Sequence, residues 1–224
     1  MAFIRRLRQN INKKLLSRNK NAANGAMLPI VMIFIVLAVF IITVNYRMNL
    51  LIYNYENIET CLIDSLTGSA VASRIMAGKT GEFIIQDSEH PSVMDKCFNE
   101  SYETFTRCIK KNLDLNDDYR TNKKTEINGE LYIKEYCVYN YISIPEGFYI
   151  CEIGVINGHS YCIEHGINEN VMVYANDKII TIEKTSVYAK IEFNLHIYGY
   201  LSWLNNNTGT GNMTYTLTRL VQIV

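Results

Sequence analysis

One uncharged stretch, from Asn21 to Tyr46, constrains this chain more than any other feature. Its centre, from Met27 to Val44, is almost wholly apolar. About 18 helical residues at about 1.5 Å each nearly cover a bilayer hydrocarbon core roughly 30 Å thick. The stretch therefore predicts one membrane-spanning helix, and no other segment of the sequence is long and apolar enough to span.

The charges around this stretch predict its orientation. Seven basic residues and no acid precede it: Arg5, Arg6, Arg8, Lys13, Lys14, Arg18 and Lys20. Because Lys and Arg stay on the cytoplasmic side, we expect a single-pass protein of the cytoplasmic (plasma) membrane, with residues 1–25 as a basic cytoplasmic leader and the chain from Asn45 onward outside. Of 22 basic residues, 15 then remain against 22 acidic ones. This acidic balance argues against a nucleic-acid partner.

Two interpretations of the leader remain open. Apolar residues at helical spacing (Ile4, Leu7, Ile11 and Leu15) favour an amphipathic helix lying on anionic lipid. The alternative is a charged topology determinant without fixed structure. A mitochondrial presequence has a similar pattern but is usually richer in Ser, and Val44 to Arg47 offers no small-x-small site for cleavage of a secretory signal.

The helical pattern continues beyond the membrane. Apolar and small residues recur in steps of three and four at Leu51, Tyr55, Ile58, Leu62, Leu66, Ala70, Ser73 and Ala77. We therefore predict one helix from about Met27 to Met76, within a segment 26–78 that is transmembrane first and amphipathic afterwards. Gly78 to Gly81 is expected to end it.

Residues 79–224 predict an extracytoplasmic α+β head. A second helix is expected from a Ser92 N-cap with Asp95 as its capping-box partner, carrying an apolar stripe at Val93, Cys97, Phe98, Phe105, Cys108, Ile109 and Leu113. After Gly129 the period becomes two, which is typical of antiparallel strands. The predicted strands are 131–141, 148–156, 159–165, 171–175, 178–182, 186–200 and 213–224. The turns Asn157-Gly158 and Asn176-Asp177 predict two hairpins.

Six cysteines follow the apolar stretch: Cys61, Cys97, Cys108, Cys137, Cys151 and Cys162. An even number outside the cell permits disulfides, and six cysteines allow 15 pairings. Cys97 and Cys108 lie roughly 16 Å apart along one predicted helix and cannot bond to each other. A tight Asn157-Gly158 turn makes Cys151 and Cys162 diagonal neighbours, roughly 7–8 Å apart. That distance is just beyond ordinary disulfide reach, and a bulge would be needed to close the gap. Disulfides and buried free thiols both remain open.

The order of these segments resembles that of a known class. A basic leader, Gly25, a long apolar helix that becomes amphipathic and a small α+β head follow the plan of type IV pilin-like proteins. Within that class the chain looks like the TadE-like minor pseudopilins of tight-adherence (Tad/Flp) systems, because it reads Asn24-Gly25-Ala26-Met27-Leu28-Pro29-Ile30-Val31. The resemblance covers roughly residues 18–76, and the head shares only a general likeness.

The resemblance implies a function and a processing site. It implies a structural or assembly subunit of a pilus-like secretion or adhesion machine, whose partners are the membrane, other pilin-like subunits and assembly-platform proteins. A prepilin peptidase would cut between Gly25 and Ala26. Pilins of this class usually carry Glu at the fifth residue of the cut chain, where this sequence has Ile30. Because that Glu offsets a neighbour's terminal amine, its absence leaves cleaved and uncleaved forms both open.

Several groups of side chains are candidates for chemical sites. His159, Cys162, Glu164 and His165 resemble a metal set in the one-letter string, but on a strand Cys162 lies on the face opposite the two histidines. Asp114, Asp117 and Asp118 lack the EF-hand spacing for calcium. Gly209-Thr210-Gly211 lacks the lysine and helix of a phosphate loop. We therefore expect no enzyme, metal or cofactor.

Two further alternatives remain open, one about the tyrosines and one about the function. The many tyrosines of the head match strand propensity, or some of them form an exposed surface for subunit contacts. The alternative function is an uncleaved, membrane-tethered binding or sensing domain that never assembles. In that case the apolar helix should stay in lipid.

Overall fold

A computed structural model of the chain describes residues 2–71, 91–121, 127, 129–196 and 212–223, and only the backbone of residues 2–26, 71, 91–97, 196 and 212. The predicted α+β class, with two helices and antiparallel strands, is confirmed. The elements are α1 (Ala2–Val71), α2 (Pro91–Asn112), β1 (Tyr132–Ile144), β2 (Gly147–Ile156), β3 (His159–Glu164), β4 (Met172–Ala175), β5 (Lys178–Thr181), β6 (Ser186–His196) and β7 (Asn212–Gln222). The chain divides into two compact units, Met1–Leu50 and Leu51–Val224.

The first unit is helical throughout its described length. Helix α1 already begins at Ala2, so the basic leader is helical and is continuous in secondary structure with the apolar stretch. Pro29 lies inside this helix. Every side chain from residue 27 to residue 42 is exposed.

The second unit, called the head below, is built on an antiparallel sheet. Five strands take the order β3-β2-β1-β6-β7, and β4 pairs with β5 separately. Both predicted two-residue turns are present. Asn157 and Gly158 have φ values of 49° and 83°, and Asn176 and Asp177 have 53° and 60°. Positive φ at both central residues matches the twist of the flanking strands, which explains why these sequences form hairpins.

One face of the sheet packs against both helices. From α1 it receives Ile58, Leu62, Leu66 and Ala70, and from α2 Phe98, Phe105 and Ile109, all buried. The predicted apolar stripes of both helices are therefore confirmed where side chains are described. Tyr136 of β1 is fully buried beside the Phe105 ring, with ring centroids 4.9 Å apart. Its hydroxyl is hydrogen-bonded to Ser101 of α2 at 2.7 Å.

The other face is covered by the β4–β5 hairpin and its flanking residues. A second cluster of buried apolar residues lies there: Cys137, Tyr139, Ile150, Ala175, Ile182, Tyr188 and Leu220. Strand β1 is consequently buried on both faces from Tyr136 to Asn140. The residues of β1 therefore alternate between two buried faces, one against the helices and one against the β4–β5 hairpin, and not between a buried and a solvent-exposed face.

Some predicted boundaries differ from the structure. Helix α2 begins at Pro91, so Ser92 lies inside the helix and the predicted Ser92 N-cap is wrong. A proline at the first helical position has a suitable φ and loses no hydrogen bond, which favours the earlier start. The predicted helix end at Gly78 to Gly81 lies outside the described residues. The Gly- and Asn-rich stretch from Asn205 to Asn212 predicts a loop, of which residues 205–211 lie outside the described residues and Asn212 begins β7.

Candidate assembly surface

Residues 27–42 of α1, called the apolar half below, form the largest exposed apolar surface among the described side chains of the first unit. Leu28 and Ile42 are 69 % and 67 % exposed, and Phe40 is 50 % exposed. The helix is long and apolar enough to cross a membrane. An apolar surface of this extent is unfavourable in water, because soluble monomers rarely expose such large contiguous patches. Lipid or other apolar helices would be suitable surroundings for it.

The predicted processing site lies inside the same helix. The backbone of Gly25 and Ala26 is helical. Pro29 is four residues after Gly25 and has no N–H, so it cannot donate the usual helical hydrogen bond to the Gly25 carbonyl. That carbonyl belongs to the Gly25–Ala26 peptide bond. The predicted scissile bond therefore sits where the helix is locally weakened.

A smaller apolar surface lies on the outer side of the β4–β5 hairpin. Met172, Tyr174 and Ile179 are 67 %, 60 % and 70 % exposed. Tyr174 is the register partner of Ile179, so both side chains lie on the same face. Sequence reasoning missed this surface. The alternation of residues along β4 indicates that the strand has two different faces. Which of these faces lies outward depends on how β4 packs against β1.

The structure separates the tyrosines of the head into two groups. Tyr136, Tyr139 and Tyr188 are buried in the two clusters, as strand propensity alone would explain. Tyr132 and Tyr174 are exposed. Tyr198 and Tyr200 lie outside the described residues.

The six cysteines occupy different environments. Among those whose side chains are described, Cys61, Cys108, Cys137, Cys151 and Cys162 are all free thiols, and the side chain of Cys97 lies outside this set. Cys61 is half-buried, with its sulfur 3.8 Å from the Asn112 carbonyl oxygen. Cys108 packs close to Gly68, where an added Cβ would lie 3.4 Å from the Cys108 sulfur. Cys151 and Cys162 are brought together, with sulfur atoms 4.0 Å apart.

A polar cluster lies between strands β1, β2 and β3. Its members are Glu135, Cys137, Glu152, Tyr161 and His165. The ring of Tyr161 lies over Gly154, where an added Cβ would come within 2.6 Å of it. From there its hydroxyl donates to Glu152 Oε1 at 2.9 Å and lies 3.4 Å from Glu135 Oε1. His165 Nε2 lies 3.1 Å from Glu152 Oε2. Glycine at position 154 is therefore what lets Tyr161 reach both carboxyl groups.

The chemistry of the polar cluster favours structure over catalysis. Burial raises the pKa of the Cys137 thiol well above its usual value, with the nearby Glu152 charge acting in the same direction. A thiol that stays protonated is a poor nucleophile. Burial also raises the pKa of Tyr161 and of Glu135. Cys137 and Tyr161 therefore hold their protons, and the cluster joins three strands.

The residues of the metal-like string separate in the fold. His165 points toward Glu152, whereas Cys162 points toward Cys151 on the other face of the hairpin. Within the described parts of the chain, no three His, Cys, Asp or Glu side chains are placed to hold a metal ion. Asp117 contacts the Lys110 ammonium group at 3.5 Å.

Comparisons with protein-family models, with curated proteins and with solved structures found no match to this chain.

Proposed function

We propose that this chain is a pilin-like structural subunit, held in the cytoplasmic membrane by α1 with its N-terminus inside and its α+β head outside. One observation carries the proposal. Residues 27–42 of α1 are apolar and exposed, while residues 58, 62, 66 and 70 of the same helix form part of the head's core. A simple membrane anchor does not require its helix to build the core of the domain that it carries.

The charges of the leader support the orientation. Seven bases precede the apolar stretch, and the first acid of the chain is Glu56. Basic residues close to a membrane span remain on the cytoplasmic side. The head then faces the outside, as in the TadE-like pseudopilins that the sequence resembles.

The proposed mechanism is packing. The apolar half of α1 leaves lipid to join a bundle of identical or related helices, where van der Waals contacts replace lipid contacts. The exposed face of β4 and β5, with Met172, Tyr174 and Ile179, selects the neighbouring heads. Aromatic residues and Met are enriched at such contacts.

The N-terminus of the native protein tests this function. Intact-mass and peptide mass spectrometry of the protein from its own membrane should find Ala26 as the first residue if a prepilin peptidase acts. A Gly25→Leu variant should then keep its leader, whereas Ala22→Leu, a matched change upstream of the scissile bond, should still be cut.

If the chain is not cut, its co-purifying partners distinguish two interpretations. A protein that begins at Met1 or Ala2 and still co-purifies with a secretion ATPase and a membrane platform protein supports an uncleaved accessory subunit. A protein that begins there and purifies without such partners contradicts the pilin-like function.

A second function is favoured by one observation, the apolar Ile30 where pilins usually have an acid. Without that acid the chain can serve as a membrane-tethered binding domain. Its helix would then remain in lipid, and the exposed face of β4 and β5 would bind a ligand instead of a neighbouring subunit.

A further inference from the structure

Cys151 and Cys162 meet across the β2–β3 hairpin. The register places Cys151 opposite Glu164 and Cys162 opposite Ile153, as the sequence predicts, so the two cysteines are diagonal neighbours on one face. Their sulfur atoms lie 4.0 Å apart. A disulfide needs about 2.05 Å between the sulfurs. Among the described strands β3 pairs only with β2, so closing the gap between the two sulfurs requires a shift of one edge strand.

The two thiols differ in access. Cys151 is fully buried, whereas Cys162 is exposed. Burial, and then the neighbouring Cys162 sulfur, raise the pKa of Cys151 to about 12. An external reagent can therefore reach Cys162 and cannot reach Cys151. Cys162 is the entry point for oxidation, and Cys151 is the nearest internal sulfur.

We propose that Cys151 and Cys162 form an intramolecular disulfide that ties the edge strand β3 to β2. The oxidant is a small external disulfide such as cystine, or a disulfide-bearing oxidoreductase. The Cys162 thiolate attacks one sulfur of the oxidant, and one thiol leaves. The Cys151 sulfur then loses its proton and attacks Cys162, and the second thiol leaves. The protein gives up two electrons and two protons, and the oxidant is reduced to two thiols.

Formation of this bond in cells rests on the proposed function, because only an outward-facing head meets an oxidising compartment. The bond would hold β3 against β2 and so fix the outer part of the sheet, although the free edge of β3 stays unpaired. This matters for a head that must contact neighbours through chosen surfaces in a crowded assembly.

Peptide mapping of the full-length protein in detergent micelles tests the bond. The protein is exposed to cystine, alkylated and digested, without reduction, by a protease that cuts after glutamate. Trypsin is unsuitable, since the chain has no Lys or Arg between Lys134 and Lys178. Cuts after Glu135, Glu146, Glu152 and Glu164 place Cys137, Cys151 and Cys162 in separate peptides, 136–146, 147–152 and 153–164.

The expected result is one linked pair, 147–152 with 153–164, that reduction separates. A Cys151→Ser variant should instead keep a half-cystine adduct on Cys162, because no internal sulfur is there to displace it. Cys108→Ser, a matched control on α2, should leave the linked pair unchanged. Separate alkylated peptides after oxidation of the wild type, or a link from Cys162 to another cysteine, would overturn the proposal.

The same mapping after acid quenching and alkylation of intact cells separates this proposal from the function. A linked pair in cells supports both the bond and the outward head. A pair that links in micelles yet is fully alkylated in cells overturns the outward orientation, while the disulfide chemistry stands.

Discussion

Arg219 of β7 shows how a single buried charge connects distant parts of the head. Its side chain is 5 % exposed, and its Nε donates to Glu59 Oε1 of α1 at 2.8 Å. Its Nη2 contacts Asp177 Oδ2 in the β4–β5 turn at 3.2 Å, and its Nη1 donates to the Thr218 carbonyl oxygen at 2.7 Å. A guanidinium in such a site is tolerated because its donors are matched to carboxylates. Arg219 therefore joins the helix on one face of the sheet to the hairpin on the other.

The two partners of Arg219 should contribute unequally. We predict that Glu59→Gln lowers the free energy of unfolding by about 2–3 kcal/mol, because it leaves the buried Arg219 charge with one carboxylate partner, the exposed Asp177. Asp177→Asn should cost less than about 1 kcal/mol, since Asp177 is largely solvated. Urea unfolding of the full chain in micelles, followed by near-ultraviolet circular dichroism, measures both. Equal losses would show that Arg219 does not depend on Glu59.

Glu135 should make stability depend on pH. Burial raises its pKa, and the main opposing influence is the Lys190 charge on β6, with Glu152 on β2 and Tyr161 on β3 also facing it. The folded state then binds the Glu135 proton more tightly than the unfolded state, whose pKa is about 4.3. Stability from this group is present at low pH and is lost as pH rises from about 4.3 through the higher folded pKa.

A neutral substitution tests whether stability falls as pH rises because of Glu135. Glu135→Gln should raise the free energy of unfolding at pH 7 and flatten its decline between acidic and neutral pH. Glu146→Gln, at an exposed turn position, is the matched control and should leave the profile unchanged. A Glu135→Gln protein that is less stable at pH 7 and keeps the wild-type slope would show that the carboxylate is favourably paired.

At the scale of elements, α1 carries two different surfaces in one helix. Leu37 in the apolar half is 54 % exposed, whereas Leu62 in the amphipathic half is fully buried in the head. The same residue type is therefore exposed in one half and packed into a core in the other. Its contribution to stability should differ accordingly.

A pair of matched substitutions measures this difference. Leu62→Ala should lower the free energy of unfolding of the head by about 2–5 kcal/mol, because it leaves a cavity between α1 and the sheet. Leu37→Ala should change it by less than about 0.5 kcal/mol, since it removes no core contact. Urea unfolding in micelles compares the two. A large loss from Leu37→Ala would contradict the division of α1 into these halves.

The elements that sequence predicts well are those fixed by local chemistry. Asn157-Gly158 and Asn176-Asp177 specify their turns because both central residues need positive φ, and the register of β2 with β3 follows from the first turn. The apolar stripe through Ile58, Leu62 and Leu66 follows from helical spacing. The burial of Cys137 and Tyr139 could not be predicted, because it depends on a hairpin some 35 residues later packing onto β1. The Arg219–Glu59 pair spans 160 residues and has no local signal.

At the scale of the whole molecule, the candidate membrane segment is the part on which the proposed assembly depends. The head is a complete α+β unit with its own core, and the apolar half of α1 needs a covering that the chain itself does not supply within its described residues. In an anchored binding domain, lipid alone would cover the apolar half of α1. In a subunit of an assembly, the helices of other subunits would replace lipid as the covering of this surface. What touches the side chains of residues 27–42 in the cell therefore separates the two functions.

Photo-crosslinking from inside the apolar stretch measures that contact directly. Phe34 is replaced by p-benzoylphenylalanine, and living cells are irradiated. Our account predicts discrete protein adducts, with a second copy of this chain or with another single-span subunit. The same probe at Phe105, which is fully buried, should give no adduct with another protein. A Phe34 probe that reacts only with lipid, under conditions where the assembly is formed, would contradict the central claim.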